Sequence, residues 1–482
     1  MRRTDATAAD CSTFEVLGSR FGFEVLFEHR TWNIKPRTIR FREGPISSSI
    51  ARVSPLRILF VTPYVPSPLR TRPFGFIKFL AARGHRISVV AAASSPEEAR
   101  EAGALAEFCE VVRAVPISVV RSLWNCALAL PRDVPFQAAY SHSPELDRVL
   151  RDALRGPEPY DVVHVEHLRA ALAGLRMTGV PRVFDAVDCI SSLFERAAHD
   201  AASLFARWRA RIDLGRTRRF EATLADRFDA ALVISGADRA ALEELRAGAA
   251  TRSSSGASRV DFTVVPNGVD LTYFSAVAKP APTSEIVFVG RMGYHANVAA
   301  AVRLAREVMP AVWQRYPAAH LTIVGAEPAP AVVALSKTDS RVTVTGRVDD
   351  VRPYLHQAAL AACPLVYAAG IQNKLLEAMA CGTPVVASSA ACQGLQVQAD
   401  EHLLVADTSD AFARQALRVL DDPALGRRLT ARGRAYVEAS HDWNGVVTRL
   451  EELYLSARAR FRARGSDASE GPRGERRSRA TN

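Results

Sequence analysis

The sequence predicts an α/β protein with two doubly wound lobes that face a central cleft. Apolar runs of strand length alternate with segments of helical pattern, which is typical of parallel sheets covered by helices. The alternation occurs twice, and the turn cluster Pro266-Asn267-Gly268-Val269-Asp270 separates the two series. Because ligands of such sheets bind beyond the carboxyl ends of the strands, we expect a ligand site in the cleft.

The first series begins with the apolar run 57–62, which ends at Pro63 and is followed by a Pro-rich loop. Residues 74–82 have a helical pattern, and the next apolar strand covers 87–92. Strand, helix and strand within about 35 residues make a βαβ unit. Later strands of this lobe are predicted at 160–165, 182–185, 230–235 and 262–265.

The second series begins with the strand 285–290 and continues with a helix over 299–313. Further strands are predicted at 320–325, 342–345, 360–364 and 384–387. These runs are short and almost wholly apolar, as expected for strands that are buried on both faces.

The two series and their flanks define five segments. Residues 1–54 lack a clear period, and we interpret them as an N-terminal extension without regular structure. The first lobe covers 55–268 and the second lobe 269–441. A C-terminal helix over 442–462 is expected to cross back to the first lobe. Residues 463–482 are rich in Arg, Ser, Gly and Glu, which predicts a disordered tail.

The composition is that of an ordinary globular protein. Of the 482 residues, 48% are hydrophobic and 23% are charged. No apolar run approaches the ~20 residues that span a bilayer, and the N-terminus has no apolar signal core, so we expect a cytoplasmic protein. The seven cysteines are irregularly spaced without a CxxC pair, which favours reduced thiols over a disulfide framework or a zinc site.

The net charge of +11 suits nucleic acid, anionic lipid or phosphorylated substrates. The charge is widely spread and lacks any nucleic-acid-binding signature, so nucleic acid is not a predicted partner. Residues 207–211 (Arg-Trp-Arg-Ala-Arg) and 216–219 concentrate arginine in a predicted helix. This helix suits peripheral contact with an anionic membrane that presents a lipid-linked acceptor. An ordinary solvated helix face is the alternative.

The most specific segment is Gly370 to Ala387 (GIQNKLLEAMACGTPVVA). A helix is expected to start just after Gly370, with first-turn N–H groups available to a phosphate. Lys374 lies in that turn, where a cation opposes the helix dipole unless an anionic ligand is bound. Glu377 shares its face and could accept hydrogen bonds from two ribose hydroxyls. A surface Lys–Glu pair is the alternative interpretation.

This segment resembles the signature of glycosyltransferase family 4, the retaining enzymes with the GT-B fold of two Rossmann-like lobes. The nearest subgroup is the bacterial sugar transferases of polysaccharide assembly. The order and spacing fit along about 56–455, with most of the support in the second lobe. Supporting matches are Pro266-Asn267-Gly268-Val269-Asp270, Phe288-Val289-Gly290-Arg291, Leu321-Thr322-Ile323-Val324-Gly325 and Val344-Thr345-Gly346-Arg347-Val348-Asp349-Asp350.

The resemblance implies a binding set for a nucleotide-diphosphate sugar. Arg291 and Lys374 would neutralise the donor diphosphate, and Glu377 matches the second Glu of the family's Glu-x7-Glu motif, which binds ribose. Gly346, Arg347 and Val348 would lie near the nucleobase. The full implied set is Gly290, Arg291, Gly346, Arg347, Val348, Gly370, Asn373, Lys374, Leu376 and Glu377.

Two positions depart from the family pattern. Ala369 stands where the first Glu of the motif is expected, which removes one anchor for the sugar and puts donor preference in question. The loop 63–68 (Pro-Tyr-Val-Pro-Ser-Pro) replaces the usual Gly-rich loop after the first strand. Proline lacks an N–H group, so this loop is less suited to phosphate.

The catalytic candidates follow strands of the first lobe. His164-Val165-Glu166-His167 ends a strand on the cleft side, and the resemblance implies that a His near this point contacts the transferred sugar. His167 and Glu166 are therefore candidates, although a strand-end His is often structural, and His164 is expected to be buried. Asp188 is a candidate for an acceptor hydroxyl, with capping of the following helix as the alternative.

The resemblance implies sugar transfer with retention to a glycan or lipid-linked acceptor in cell-surface polysaccharide or glycolipid synthesis. We expect a cytoplasmic enzyme that is peripheral at the inner face of the cell membrane. No cofactor or metal is expected: no metal-binding DxD motif follows a suitable strand, and 348–350 is predicted to be a loop entering a helix. Two alternatives remain: a non-catalytic nucleotide-sugar-binding partner in polysaccharide assembly, which Ala369 keeps open, and a GT-B nucleotide-sugar epimerase.

Overall fold

The structure is a computed structural model of the chain. It describes residues 54–68, 70–200, 204–250, 259–277, 283–368 and 370–469, without the side chains of 196–212, 250 and 465–469. The predicted extension up to residue 53, Ala369 and the chain after 469 lie outside the described residues.

The first lobe contains a parallel sheet of seven strands in the order β3-β2-β1-β4-β5-β6-β7. The direction of winding reverses between β1 and β4, and this makes the lobe doubly wound. Its strands are β1 Arg57–Thr62, β2 Arg86–Ala93, β3 Val111–Pro116, β4 Val162–Glu166, β5 Arg182–Val187, β6 Ala230–Val233 and β7 Phe262–Val264.

Helices cover both faces of this sheet. They are α1 Thr71–Ala82, α2 Pro96–Glu101, α3 Val119–Ala129, α4 Phe136–Tyr140, α5 Pro144–Leu154, α6 His167–Leu175, α7 Ile190–Asp200, α8 Leu204–Leu224 and α9 Gly236–Ala250. Every residue of β4 is buried, which explains the apolar run by which this strand was predicted.

The second lobe contains a parallel sheet of six strands in the order β10-β9-β8-β11-β12-β13. Its strands are β8 Glu285–Val289, β9 His320–Val324, β10 Val342–Val344, β11 Leu360–Cys363, β12 Val385–Ala387 and β13 Leu404–Val405. Its helices are α10 His295–Arg303, α11 Met309–Arg315, α12 Pro330–Thr338, α13 Arg352–Gln357, α14 Asn373–Ala380, α15 Ser389–Cys392, α16 Ser409–Asp421 and α17 Pro423–His441.

The predicted continuous helix over 299–313 is wrong in detail. The helix starts at His295, and a π-helical stretch, Leu304–Val308, separates α10 from α11. Pro310 lies just after this stretch. Because proline cannot donate an α-helical hydrogen bond, the backbone changes its pairing before it.

The chain crosses between the lobes twice, and the two crossings touch. The Val269 N–H donates to the His441 carbonyl at 2.7 Å, and His441 Nδ1 lies 2.8 Å from the Asn267 carbonyl oxygen. The final helix, α18 Trp443–Ser469, then packs against the first lobe, where Trp443 and Tyr454 join its core. This helix continues past residue 463, where the sequence predicted the start of a disordered tail.

The arginine-rich helix α8 is helical as predicted, but the side chains of 207–211 lie outside the described set. The described arginines of this helix have partners within the first lobe. Arg216 donates to the Leu130 carbonyl, Arg218 pairs with Glu195, and Arg219 binds Asp133. No described helix is both long and apolar enough to cross a membrane.

Candidate functional site

A cleft lies between the lobes, at the carboxyl ends of β1, β4 and β5. The first lobe contributes its strand ends and the loop after β1, and the second lobe contributes the segment that leads into α14. Among the lining residues are Tyr64, Arg70, Arg72, Glu166, Asp188, Asn267, Tyr294, Tyr367, Gly370, Gln372 and Asn373. This is where the strand pattern predicted a ligand site.

A second, smaller cavity lies within the second lobe beyond β8 and β9. It is lined by Val289, Gly290, Arg291, Val324, Gly325, Ala326, Val348, Val351, Lys374 and Glu377. Five residues of the predicted donor set therefore meet in one cavity, although they come from three separate stretches of sequence. We call it the donor cavity.

Lys374 and Glu377 lie on the first two turns of α14, and both side chains are buried. The Lys374 Nζ donates to Asn297 Oδ1 at 2.7 Å and lies over the Phe288 ring at 5.6 Å. A solvated surface Lys–Glu pair is thus excluded. A cation at a helix start opposes the helix dipole, and Lys374 lines the donor cavity together with Glu377.

Arg291 follows β8 at the mouth of the donor cavity and is partly exposed. Its guanidinium binds Glu327, with Nε 2.8 Å from Oε2. No pattern in the sequence predicted Glu327 as a partner of Arg291. Because the pair is partly solvated, an incoming anion competes with Glu327 for the arginine at modest cost.

Two glycines let the backbone ends of β8 and β9 approach each other. Gly325 has φ +154°, and a Cβ there would lie 1.6 Å from the Gly290 carbonyl oxygen. A Cβ on Gly290 would in turn lie 2.9 Å from Asn297 Nδ2. The floor of the donor cavity is therefore bare backbone at both strand ends.

The rest of the predicted donor set lies elsewhere. Gly370 and Asn373 line the cleft, so the first turn of α14 borders both cavities. Gly346, with φ +67°, forms a turn after β10 and accepts the Gly325 N–H through its carbonyl. Arg347 is exposed, Leu376 packs in the core, and neither side chain lines either cavity.

Glu166, the last residue of β4, borders the cleft while its carboxyl is buried. Its Oε1 accepts a hydrogen bond of 2.7 Å from the Tyr64 hydroxyl. Burial, together with the nearby negative charge of Asp185, raises the pKa of Glu166 to about 8. The group is therefore mostly protonated at neutral pH and can donate a proton.

His167 is buried and is not among the residues that line the cleft, so its contact with a transferred sugar stays a prediction. It has φ +66°, which turns its side chain into the lobe, where Nδ1 accepts the Arg169 N–H at 3.1 Å. Burial, with the positive charge of Arg169, lowers the pKa of His167 to about 3, so the ring is neutral. His164 is fully buried on the strand, and the Tyr454 hydroxyl lies 2.9 Å from its Nδ1.

Asp188 lines the cleft, and the N-terminal amides of α7 are bound by other carboxylates. The Ile190 and Ser191 N–H groups donate to Glu221, at 2.8 and 2.9 Å, and the Cys189 N–H donates to Asp238. These bonds account for three amides at the start of α7, and both interpretations of Asp188 stay predictions. A Cβ on Gly370 would lie 2.8 Å from Asp188 Oδ1, so this carboxylate faces the second lobe directly.

A buried polar chain that the sequence analysis missed connects the lobes. Arg72 on α1 binds Asp185 through Nε at 2.7 Å and Nη2 at 3.1 Å. Its Nη1 donates to the Val265 carbonyl at 2.8 Å and to Asn267 Oδ1 at 3.3 Å. Asn267 Nδ2 then donates to Asn373 Oδ1 at 3.1 Å. The partners are far apart in sequence, and no local pattern marks them.

Comparison with known proteins finds sequence similarity in the second lobe. Residues 283–422 match the family described as Glycosyl transferases group 1. Glycogen synthase of Mycobacterium tuberculosis is 29% identical over 213 residues, which are 42% of this chain and 50% of the relative. A second relative is the GDP-mannose-dependent monoacylated alpha-(1-6)-phosphatidylinositol monomannoside mannosyltransferase of Corynebacterium glutamicum. It is 27% identical over 218 residues, which are 41% of this chain and 57% of the relative. The chain thus spans about half the length of the curated relatives it matches.

The solved structure of Anabaena HepE in complex with UDP-glucose shares the fold. It has a TM-score of 0.58 at 15% identity and covers 83% of this chain and all of HepE. The chain therefore has the GT-B fold, as the sequence predicted. Residues 283–422 of its second lobe are similar to the Glycosyl transferases group 1 family.

Proposed function

We propose that the chain transfers a sugar from a nucleotide-diphosphate sugar to a glycan or lipid-linked acceptor, with retention at the anomeric carbon. The observation that carries this proposal is the donor cavity, in which Arg291, Lys374 and Glu377 converge over the bare backbone of Gly290 and Gly325. The UDP-glucose bound by HepE, a structure of the same fold, supports a donor of this class.

In the proposed reaction the bond between the anomeric carbon and the diphosphate breaks, and negative charge develops on the leaving diphosphate. Arg291, Lys374 and the N-terminal amides of α14 stabilise this charge. The protein supplies the cations, so no metal or cofactor is required. Glu377 accepts the ribose hydroxyls. Val348 contacts the nucleobase from the wall of the donor cavity.

The acceptor enters the cleft from the first lobe, on the side of Glu166 and Asp188. Its hydroxyl attacks the anomeric carbon on the face that the diphosphate leaves, and its proton passes to the leaving phosphate oxygen. Attack from this face retains the configuration. Asp188 orients the acceptor hydroxyl, and protonated Glu166 donates a hydrogen bond within the cleft. Closure of the lobes excludes water and limits donor hydrolysis.

We place this reaction in the cytoplasm, at the inner face of the cell membrane, in the synthesis of a cell-surface polysaccharide or glycolipid. The mannosyltransferase relative, whose printed name gives it an acylated, lipid-linked acceptor, supports this class of acceptor.

A donor screen tests the proposal. Purified protein is titrated with UDP-, GDP-, ADP- and dTDP-sugars, and released nucleotide is measured. Arg291→Ala and Glu377→Ala are compared with Arg315→Ala and Glu438→Ala, which remove exposed charges outside the donor cavity. We expect one donor to bind and slowly release its nucleotide. The two site variants should lose about tenfold or more in affinity, as for charge-assisted hydrogen bonds.

The outcomes separate the remaining functions. Binding without release, with or without acceptors, would favour the non-catalytic nucleotide-sugar-binding protein. Equal affinity in all four variants, or no binding by the native chain, would refute the donor cavity. Release of an epimerised sugar would identify the epimerase.

A further inference from the structure

The exposed large apolar side chains of the described chain are concentrated on one helix of the first lobe, and most lie between residues 111 and 130. On α3, Val120 is 77% exposed, Trp124 59% and Leu128 49%. Because they are four residues apart, they form a single stripe along the helix, and Leu123 extends it. An exposed apolar stripe of this kind marks an interaction surface.

The polarity of α3 is the reverse of that of an ordinary surface helix. Ser122 is buried, Asn125 Nδ2 donates to the His142 carbonyl at 2.7 Å, and the Cys126 thiol donates to the Phe136 carbonyl at 3.7 Å. Ser122, Asn125 and Cys126 therefore face the protein, and the long apolar side chains face outward. Burial of such apolar side chains is favourable, so the stripe is a source of binding energy.

The charge around the stripe selects the partner. Between residues 111 and 132 there is no Asp or Glu, whereas Arg113, Arg121 and Arg132 are all exposed. An apolar stripe beside arginines complements a bilayer with anionic headgroups, since the apolar side chains enter the acyl boundary and the arginines bind phosphate. Tryptophan is enriched at this boundary, and Trp124 is part of the stripe.

The position of α3 connects this surface with the cleft. The strands of the first lobe are parallel, so α3 follows the carboxyl end of β3 on the cleft side of the sheet. α4 lies next to α3. Arg169 on α6 donates through Nε to Ser141 Oγ, directly after α4, at 3.0 Å, and so connects α6 with α4. α6 starts directly after Glu166, so the contacts that run from α3 through α4 to α6 reach a residue that borders the cleft.

We propose that α3 is an interfacial helix that docks the first lobe on an anionic lipid bilayer, with the cleft opening toward the lipid surface. The proposal rests on the proposed function in one respect: it names the surface that presents the lipid-linked acceptor. It also assigns the membrane contact to α3 rather than to the arginines of α8.

Vesicle flotation tests the proposal on the full chain without donor, so its result is independent of transferase activity. The vesicles are phosphatidylcholine alone, or phosphatidylcholine with about one third phosphatidylglycerol. The test variant is the double substitution Val120→Ser with Trp124→Ser. The control is Leu455→Ser, which removes an exposed apolar side chain from α18. Thermal unfolding and gel filtration of each variant check the fold and the oligomeric state.

We expect the native chain and Leu455→Ser to float with the anionic vesicles. The double variant should bind them at least about tenfold more weakly. Binding should fall with added salt and be weak on phosphatidylcholine alone. Equal flotation of the double variant and the native chain would overturn the proposal, as would no flotation of either. A native dimer that the double variant converts to a monomer, without vesicle binding, would instead assign the stripe to a second copy of the chain. Donor hydrolysis that fails while flotation succeeds would refute only the proposed function.

Discussion

The Asn267 side-chain amide donates a hydrogen bond of 3.1 Å to Asn373 Oδ1, and so joins the interlobe linker to the first residue of α14. Asn267 Oδ1 at the same time accepts from Arg72, which is held by Asp185. The helix that carries Lys374 and Glu377 is therefore fastened to the floor of the first lobe through one buried asparagine.

Substitution of Asn267 or Asn373 should weaken donor binding, although neither residue lines the donor cavity. Loss of a buried hydrogen bond costs about 1 kcal/mol or more, so Asn267→Ala and Asn373→Ala should each lower donor affinity about fivefold or more. Because both remove the same interaction, the double variant should be little worse than either single variant. Calorimetric titration measures the cycle, with the exposed Asn444→Ala as control. Additive losses would show that the two asparagines act separately.

Replacement of Lys374 by Met should separate catalysis from folding. The variant keeps most of the side-chain volume and removes a buried charge, so thermal stability should be unchanged or higher. Removal of a cation that stabilises the leaving diphosphate should slow single-turnover release about a hundredfold or more. The exposed Lys337→Met is the matched control and should behave as the native protein. A large loss of stability with native turnover would refute the role of Lys374.

A methyl group at Gly325 should disrupt the second lobe. The added Cβ would lie 1.6 Å from the Gly290 carbonyl oxygen, and the φ of +154° is unfavourable for alanine. We expect Gly325→Ala to lower the free energy of unfolding by about 3 kcal/mol or more, as strained backbone substitutions do. Urea denaturation measures the change. Gly445→Ala, where no heavy atom lies within 4 Å of the added Cβ, should be neutral or stabilising.

The raised pKa of Glu166 should make stability depend on pH. Its pKa of about 8 in the folded protein lies above the ordinary value of 4.5. Between these pH values the folded state therefore keeps a proton on Glu166 that the unfolded state has released. The stabilisation is therefore fully present below about pH 4.5 and is lost as pH rises toward 8, at up to about 1.4 kcal/mol per pH unit. Glu166→Gln keeps an acceptor for Tyr64 and should remove this slope. Parallel slopes for the two proteins between pH 5 and 8 would contradict the assignment.

Local apolar pattern was enough to predict most strands, but not β3 and β13, each of which lies at one edge of its sheet. β1 and β4 are buried runs with a clear signal. β3 is an edge strand that contains Arg113 and is partly exposed, and β13 has only two residues, so neither shows an apolar run. The π-helical stretch before Pro310 likewise depends on a hydrogen-bond change that periodicity does not detect.

The donor cavity was more predictable than the cleft. Lys374 and Glu377 are neighbours on one helix, so their spacing alone places them on one face. The burial of His167 depends on a positive φ directly after β4, which residue types do not reveal. The pairing of Arg72 with Asp185 joins distant segments and depends on the tertiary fold.

The contact between the two crossings has a consequence for how the chain is built. The chain enters and leaves the second lobe at adjacent points, since the Val269 N–H donates to the His441 carbonyl at 2.7 Å. After it leaves, α18 completes the core of the first lobe. In topological terms the second lobe is an insertion into the first rather than its successor. A segment cut at these adjacent points could be exchanged for the corresponding lobe of a relative, leaving the first lobe and its last helix undisturbed.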